Sequence, residues 1–351
     1  MELFPSQSRS YILAFQFSSW YPAFHTISIK STIIRPLSQE FHNYLNADQV
    51  FVPKGSENIL VESTLSDDED DGDSVDSDES PVFAFPELDE KIRAVVKEYG
   101  AVFPKLNFTS PKDASWILPA SSPLKCTSPA DVYLLLKSSD FISHDLSPST
   151  VFDGCDPVQS GSYDLELVLR KWYSVDRSRE LRCFVRDNVL LGISQRDSNY
   201  YDFLNDPDTQ SKIMNTVMAF WKNKIQPQWK AETSYVLDLL LTRDLSSAHI
   251  VDFNPYAPRT DPLLFTYEKL RDILNEYRAT DTLIQLTAPL PDFRVIDSPS
   301  HPAASCKSPA NQHNMVPFEA LSLSNGRDIE DFKKLWEKSI KESLQDQQGE
   351  Q

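Results

Sequence analysis

Hydrophobic positions at helical spacing predict several helices in this chain. One helix begins near Pro86 and ends at Gly100, and its apolar face is formed by Leu88, Ile92, Val95, Val96 and Tyr99. A second begins at Ser128-Pro129, where Asp131 completes a capping box. The same spacing follows Asp206-Pro207 and returns over residues 266–277 and 328–340.

Alternating or continuous apolar runs predict the strands. Single strands are expected over residues 26–34, 101–106 and 166–172. Residues 180–185 and 189–194 flank the polar turn at residues 186–188 and predict a β-hairpin. Near the first strand, an aromatic group belongs either to the core or to a partner-binding surface; it comprises Trp20, Tyr21 and Phe24.

A second hairpin, over residues 235–241 and 250–255, has an aspartate in each apolar run. Acids are depleted from strands, and a buried carboxylate needs a partner. If the hairpin is symmetric about Leu245, Asp238 and Asp252 face each other across the ladder, where like charges repel. A cation between them would resolve this conflict; the alternative is that one acid faces solvent on an edge strand.

Asn254 completes the candidate metal site, because it lies two residues beyond Asp252 and so on the same face. Two carboxylates and an amide oxygen suit Mg²⁺. His249 is three residues from Asp252, so regular alternation predicts that it lies on the opposite face, as a turn or surface residue.

Composition indicates a chain with a real core and an unusual charge distribution. Its 351 residues include 20 Phe and 13 Tyr, enough for one large domain or two. The net charge of −18 argues against nucleic acid or an anionic membrane as a partner. Half of that charge lies in residues 66–80, which predict a disordered acidic linker.

Scattered cysteines and the absence of a long apolar run or a secretory signal predict a cytoplasmic protein without a membrane segment. Nothing in the sequence requires more than a monomer.

Several bases fall at the ends of predicted strands: Lys105, Lys125, Arg170, Lys171, Arg182 and Arg196. Each alone is most simply a surface ion pair. Together with the acid pair they predict a site for a nucleoside triphosphate, in which Mg²⁺ bridges the phosphates and the bases balance the remaining charge.

Ordered sequence blocks then identify a resemblance. They include Phe17-Ser-Ser-Trp-Tyr-Pro22, Phe103-Pro-Lys-Leu-Asn107, Leu167-Val-Leu-Arg-Lys-Trp172, Gly192-Ile-Ser-Gln-Arg-Asp197 and Val251-Asp-Phe-Asn-Pro255. Over residues 11–280 the chain resembles the cell division cycle protein 123 (D123) family. The loop at residues 256–261 departs from the family's more Gly/Glu-containing version.

The resemblance implies an α+β, ATP-grasp-like fold, in which two lobes with antiparallel sheets grip ATP and Mg²⁺. The expected organisation has five parts: N-terminal strands of the first lobe at 1–62, the disordered acidic linker at 63–82, the rest of the first lobe at 83–160, a nucleotide- and metal-binding lobe at 161–280, and a variable C-terminal region with a terminal helix at 281–351.

The resemblance also implies roles for individual residues. Asp238, Asp252 and Asn254 would hold Mg²⁺, and Lys105 would reach the phosphates. The residues expected at the hinge near the adenine are Arg170, Lys171 and Trp172. Those expected toward the ribose and phosphates are Arg182, Gln195 and Arg196. Asn107 and the loop that continues to Lys112 would close over the nucleotide.

Members of the resembled family are assembly factors for eukaryotic translation initiation factor 2 that bind its γ subunit. The resemblance therefore implies an ATP-dependent assembly chaperone that supports translation initiation and the cell cycle. The alternative is an ATP-grasp phosphotransferase or ligase, but the sequence identifies neither an acceptor pocket nor a general base. A further alternative is a vestigial pocket, with only the protein surface functional.

Overall fold

The computed structural model describes residues 2–48, 50–57, 83–119, 121–155, 163–279 and 290–305. The predicted acidic linker at 63–82 and the predicted helix at 328–340 lie outside these residues. The chain forms two compact units, one comprising Met1–Asp197 and Tyr201–Asp297 and the other Ser198–Tyr200 and Ser298–Gln351. The features described below belong to the first unit, apart from one short helix.

The α-helices are α1 (Arg9–Ala14), α2 (Phe17–Phe24), α3 (Gln39–Asn46), α4 (Pro86–Tyr99), α5 (Pro129–Lys137), α6 (Ser143–Leu146), α7 (Pro148–Val151), α8 (Pro207–Phe220), α9 (Tyr267–Ala279) and, in the second unit, α10 (Pro302–Ser305). The predicted boundaries of α4 and α5 are confirmed. Gly100 ends α4 with φ of 81°, which is accessible to glycine without strain. Ser128 and Asp131 form the capping box of α5.

The strands are β1 (Ser31–Ile34), β2 (Val102–Lys105), β3 (Leu167–Lys171), β4 (Glu180–Arg186), β5 (Val189–Gln195), β6 (Tyr235–Leu241), β7 (Ala248–Pro255) and β8 (Asp292–Arg294). They form a three-stranded sheet of order β1-β3-β2 and a five-stranded sheet of order β7-β6-β4-β5-β8. Neighbouring strands are antiparallel except β5 and β8, which are parallel. The predicted α+β class with antiparallel sheets is therefore confirmed.

The β4–β5 hairpin turns at Asp187 and Asn188, which have φ of 51° and 60°. Positive φ at both central residues is typical of a type I′ turn, whose twist matches that of the flanking strands. Asn and Asp tolerate this conformation better than most residues. The predicted turn is thus confirmed at these positions.

Three hydrophobic clusters cover the sheets. One face of the three-stranded sheet packs against α3, α4 and α5 through residues such as Val102, Leu167 and Leu169. The largest cluster joins α1, α2 and α8 to one face of the five-stranded sheet. The third joins α9 to the opposite face of that sheet, where Phe184 and Val236 lie. Because side chains alternate along a strand, β6 contributes to clusters on both faces.

The prediction of several N-terminal strands is wrong. Residues 9–24 are mainly helical, and only Ser31–Ile34 of the predicted strand 26–34 is extended, because His25–Ile27 forms a 3₁₀ turn. Phe17, Trp20 and Phe24 are buried in the largest cluster and Tyr21 packs against it, so the aromatic group belongs to the core. Burial of this aromatic face against the sheet outweighs the local alternation of residues 26–34.

Two further expectations are corrected by the sheet topology. The predicted boundary at residue 161 does not separate the sheets, because β3 is the central strand of the three-stranded sheet. Long-range pairing of this kind cannot be obtained from local periodicity. In addition, Asp292–Arg294, within the predicted variable C-terminal region, pairs with β5 as β8. Three residues are too few to give a periodic signal.

Candidate functional site

The two aspartates of the β6–β7 hairpin lie directly opposite each other, as the symmetry argument predicts. A register shift follows, because Asp238 pairs with Asp252 but Leu239 pairs with Ile250, which leaves Val251 as the extra residue of a β-bulge. The bulge changes the alternation, so His249, opposite Leu240, shares the face of Asp238. His249 is exposed, as predicted, but the prediction that it faces away from Asp252 is wrong.

Asp238 is held in a buried ion pair with Arg182. The two residues are opposite each other on β4 and β6, and the guanidinium donates to both carboxylate oxygens, Nε to Oδ1 at 2.7 Å and Nη2 to Oδ2 at 2.8 Å. Arg196 Nε lies 3.4 Å from Oδ2, and the Asn254 amide donates to the same oxygen at 3.4 Å.

The charge of Asp238 is stabilised by its neighbours. Burial alone would raise the pKa of Asp238, but Arg182, Arg196 and Lys112 more than offset it and hold that pKa well below its usual range. The pKa of Arg182 lies above its usual value, because Asp238 more than offsets the effect of burial. Both partners therefore remain charged at neutral pH.

Asp252 is paired with a base from the other sheet. Lys105, at the end of β2 and only 1% exposed, places Nζ 2.8 Å from Asp252 Oδ2 and also donates to the backbone carbonyl of Phe108. The other oxygen, Oδ1, accepts the N–H of Phe253 at 3.1 Å. The side chain of Asp252 is 15% exposed, so it is the more accessible of the two acids.

Phe253, next to Asp252, faces the largest hydrophobic cluster. Its ring stacks on Trp229 with a centroid distance of 4.5 Å and an interplanar angle of 15°. It also lies 5.3 Å from the ring of Trp20. The backbone that carries Asp252 is thus anchored by aromatic packing on the opposite side.

Arg170 is a buried base without a side-chain hydrogen bond at two of its nitrogens. Its side chain lies on β3, opposite Phe103 and Ser31, and Nε and Nη2 are buried without a partner. Burial lowers the pKa of Arg170, while the charge of Asp252 acts in the opposite direction. Buried guanidinium nitrogens without an acceptor are costly, and an anion at this position would supply the missing acceptors.

Lys112 reaches the same charges from the loop that follows β2. Desolvation by the surrounding protein and the charge of Arg196 lower the pKa of Lys112 to about 7. The carboxylates of Glu180, Asp238 and Asp252 act in the opposite direction. Lys112 is nevertheless an exposed residue.

These groups form what we call the charged cluster, with the bases Lys105, Lys112, Arg170, Arg182 and Arg196 and the acids Glu180, Asp238 and Asp252. Even with Asp261, which also interacts with Arg182, the bases outnumber the carboxylates. The whole chain has the reverse balance, 34 bases to 52 acids.

The donor set fits Mg²⁺ together with a polyphosphate. Asp238, Asp252 and Asn254 present oxygen atoms, the ligands that Mg²⁺ prefers. Once a divalent ion shares the charge of the two aspartates, the bases around them are left for the oxygens of an anion. In the described part of the chain, no group of three or more His, Cys, Asp and Glu side chains could hold a metal, so a ligand set here depends on the amide of Asn254.

Four predicted nucleotide residues have other contacts. Both polar atoms of the Asn107 side chain bond to backbone, to Asp164 O and Glu166 N at 2.9 Å each. The Gln195 amide bonds to Asp197 O at 2.7 Å and Ile296 N at 3.0 Å, which fixes the segment after β8. These contacts are structural, and the predicted roles toward a nucleotide receive no direct support from them.

The remaining two residues, Lys171 and Trp172, lie at the end of β3. Lys171 Nζ lies 5.4 Å from the ring centre of Tyr173, and the Trp172 indole donates to Pro123 O at 3.3 Å. Lys171 follows Arg170 and therefore points to the opposite face of the sheet. Their predicted position near the adenine stays a prediction.

The sequence did not reveal two carboxylates that organise this region. Glu180 pairs with Arg196 at 2.9 Å, and Asp145 is fully buried beside the loop after β2. Glu180 directly precedes an apolar run, but acids at strand ends are too common to indicate a site. Asp145 lies in a polar stretch where no periodic pattern distinguishes it.

Among the described residues, no helix is long and apolar enough to cross a lipid bilayer.

Comparison with known proteins agrees with the resemblance. The D123 family model matches residues 20–324. The translation initiation factor eIF2 assembly protein of Vanderwaltozyma polyspora is 35% identical over 352 residues, covering 94% of this chain and 92% of the relative. The protein of the same name from Schizosaccharomyces pombe is 32% identical over 338 residues, covering 94% and 96%.

Among solved structures, Cdc123 from Schizosaccharomyces pombe matches with a TM-score of 0.63 and 31% identity, covering 83% of this chain and 99% of that chain. A family model over most of the chain, relatives similar over nearly their whole length and a solved structure of the same fold lead to one conclusion. The chain belongs to the D123 family.

Proposed function

We propose that this protein binds ATP and Mg²⁺ in the charged cluster and acts as an assembly factor for eukaryotic translation initiation factor 2. The nucleotide part rests on one observation above all. Arg170 is a buried guanidinium with two unpartnered nitrogens beside Asp252, in a cluster where bases outnumber carboxylates. A triphosphate would supply the missing acceptors. In the ATP-grasp fold that the family resemblance implies, the nucleotide lies between antiparallel sheets.

In this proposal Asp238, Asp252 and Asn254 hold Mg²⁺, which neutralises phosphate charge and bridges phosphate oxygens. Lys105 and Arg170 bind the phosphates from the three-stranded sheet. Arg182 orients Asp238, since its guanidinium already occupies both oxygens of that carboxylate.

On the open side of the cluster, Lys112 and Arg196 complete the phosphate site. Lys112 is exposed, and Arg196 is partly exposed and paired with Glu180. Both can therefore contact a ligand that enters from solvent.

The assembly role is supported by family membership and by the relatives named as eIF2 assembly proteins. We take the γ subunit as the direct partner, as the family resemblance implies, and the cytoplasm as the place of action. We also propose that the protein acts as a monomer.

A phosphotransferase or ligase is less favoured. A general base needs a pKa near the working pH, whereas the pKa of Asp238 is held well below its usual range. Asp238 therefore accepts a proton poorly and suits a metal ligand better. Nucleotide binding that controls the affinity for the partner needs no acceptor.

Calorimetric titration of ATP tests this function, with Mg²⁺ or with EDTA, and with or without purified γ subunit. We expect Mg²⁺-dependent binding of ATP, and tighter binding of the γ subunit in its presence. If ATP does not bind in either state, the nucleotide proposal is wrong. If ATP binds but the affinity for the γ subunit is unchanged, nucleotide and partner are not coupled.

The acidic linker gives a second test of the partner site. We propose that the γ subunit binds the folded body, so deletion of residues 63–80 should leave that binding intact. Loss of binding in this deletion variant would place the partner site on the linker instead.

A further inference from the structure

A buried carboxylate outside the charged cluster accepts hydrogen bonds from the loop that follows β2. Asp145 is 0% exposed, and its Oδ2 accepts two backbone N–H groups, from Phe108 at 2.8 Å and from Thr109 at 2.9 Å. The other oxygen, Oδ1, lies 2.7 Å from Nδ1 of His144. Both carboxylate oxygens are thus engaged, one by the loop and the other by the neighbouring histidine.

One of these N–H groups shares a peptide unit with a carbonyl that accepts a hydrogen bond from Lys105. The carbonyl of Phe108 and the N–H of Thr109 belong to the same peptide, which is planar and points them in opposite directions. The N–H is bonded to Asp145 and the carbonyl accepts from Lys105 Nζ. Fixing one side of this plane therefore sets the direction of the other.

The ammonium of Lys105 has two acceptors, the Phe108 carbonyl and the carboxylate of Asp252 at 2.8 Å. An ammonium on a long side chain takes its direction from such acceptors, because the chain itself is flexible. A hydrogen bond at the N–H end of a peptide also polarises its carbonyl and strengthens it as an acceptor.

The rest of the loop is anchored independently of Asp145. The side chain of Asn107 bonds to Asp164 O and Glu166 N, and the backbone carbonyl of Asn107 accepts the N–H of Phe17 at 2.9 Å. Asp145 is therefore not required to hold the loop in place as a whole. Its specific contribution is the orientation of the Phe108–Thr109 peptide.

We infer that Asp145 is a positioning residue for nucleotide binding: through the Phe108–Thr109 peptide it aims the Lys105 ammonium at the phosphates. This inference rests on the proposed function, since it assumes that Lys105 binds phosphate. Asp145 itself contacts neither the nucleotide nor the metal.

A double-mutant cycle tests it, with Asp145→Ala, Lys105→Met and the double variant. We expect Asp145→Ala to weaken ATP·Mg²⁺ binding about tenfold, as loss of an outer supporting contact does. In the Lys105→Met background the same substitution should change affinity less than about twofold, because there is no ammonium left to position. Asp145→Asn keeps an acceptor oxygen for the two N–H groups and should restore most of the affinity.

Asp131→Ala is the matched control. Asp131 also accepts two backbone N–H groups, from Thr127 at 2.7 Å and Ser128 at 3.1 Å, but at the start of α5. We expect it to lower stability without changing ATP affinity.

A second readout uses the free protein. The free energy of unfolding of the same four proteins should show coupling between Asp145 and Lys105 in the absence of ligand. If Asp145→Ala fails to fold, Asp145→Val, which also lacks an acceptor oxygen but fills more of the buried volume, takes its place in the cycle.

The outcomes separate the two proposals. An equal loss of affinity in both backgrounds, or no loss in either, would overturn the positioning role, because Asp145 would then act on general structure or not at all. Failure of the wild-type protein to bind ATP would refute the proposed function. Absence of coupling in the free protein would independently refute the link between Asp145 and Lys105 through the Phe108–Thr109 peptide.

Discussion

Arg182 lies directly opposite Asp238 across β4 and β6, and its guanidinium donates to both oxygens of the carboxylate. The repulsion expected between Asp238 and Asp252 is therefore relieved within the protein, without a metal ion. Each acid has its own base, Arg182 for Asp238 and Lys105 for Asp252. The two bases therefore allow the two charged aspartates to face each other in the free protein.

The first prediction concerns Asp252, the more accessible acid. Asp252→Asn should lower the affinity for ATP·Mg²⁺ at least about tenfold, because a charged interaction is worth about 1.5–3 kcal/mol. The rise in melting temperature caused by ATP·Mg²⁺ should shrink accordingly. Asp244→Asn, in the exposed turn of the same hairpin, is the control. An undiminished thermal shift in Asp252→Asn would contradict the metal assignment.

The second prediction concerns the buried ion pair. Asp238→Ala should lower the free energy of unfolding by about 3–5 kcal/mol, because it leaves the Arg182 guanidinium buried without its carboxylate. Adding Arg182→Met should recover part of that loss, which urea denaturation of the single and double variants can measure. If the losses of unfolding free energy in the two single variants simply add in the double variant, the ion pair is not the cause of the destabilisation.

The third prediction is the pH dependence of this pair. Since the pKa of Asp238 is depressed in the folded state, its contribution is fully present above the unfolded pKa of about 3.9 and is lost as the pH falls below it. Urea denaturation between about pH 6 and pH 3 should show a shallower loss of stability in Asp238→Asn than in the wild type. The same slope in both proteins would contradict this.

The fourth prediction concerns proton uptake by Lys112. Its pKa is lowered to about 7 in the free protein, so at about pH 8 the amine is mostly neutral, and nearby phosphates should favour its protonation. ATP binding should therefore take up a proton, which calorimetry in buffers of different ionisation enthalpy detects. Affinity should fall as the pH rises above 7. Lys112→Arg, which stays charged, should abolish the proton uptake and retain ATP binding. If proton uptake persists in this variant, a group other than Lys112 is protonated.

The fifth prediction concerns Arg170. Arg170→Met removes two unpartnered buried nitrogens, so the free protein should be as stable as the wild type or more so. ATP·Mg²⁺ affinity should nevertheless fall at least about tenfold, because a charge-assisted contact is lost. Arg186→Met is the matched control, because Arg186 is also buried, also has a nitrogen without a hydrogen-bond partner, and lies outside the charged cluster. Lower stability with unchanged affinity would make Arg170 a structural residue.

Periodicity and capping motifs in the sequence correctly predicted those elements that depend only on neighbouring residues. The capped helices α4 and α5 and the facing pair Asp238 and Asp252 all follow from spacing and symmetry. The bulge at Val251 was not predictable, since one inserted residue leaves the apolar pattern almost unchanged. It is nevertheless the reason why His249 shares a face with Asp238.

The part of the site that depends on distant pairing was predicted less completely. Lys105 and Asp252 are 147 residues apart in sequence, and no local signal joins them. Asn107 and Gln195 were selected by family resemblance, but their side chains bond to the backbone. Asp145 was missed because it acts by a hydrogen bond to the Phe108–Thr109 peptide, and a contact with distant backbone leaves no pattern in the sequence.

The adjacency of Asp252 and Phe253 has a mechanical consequence. The Phe253 ring packs among Trp229, Trp20 and other aromatic side chains, so the backbone that carries Asp252 cannot shift without disturbing the main core. The backbone at Asp252 is therefore the fixed part of the charged cluster. If a nucleotide binds in the charged cluster, as we propose, the exposed side chain of Lys112 can adjust to it while the backbone at Asp252 stays in place.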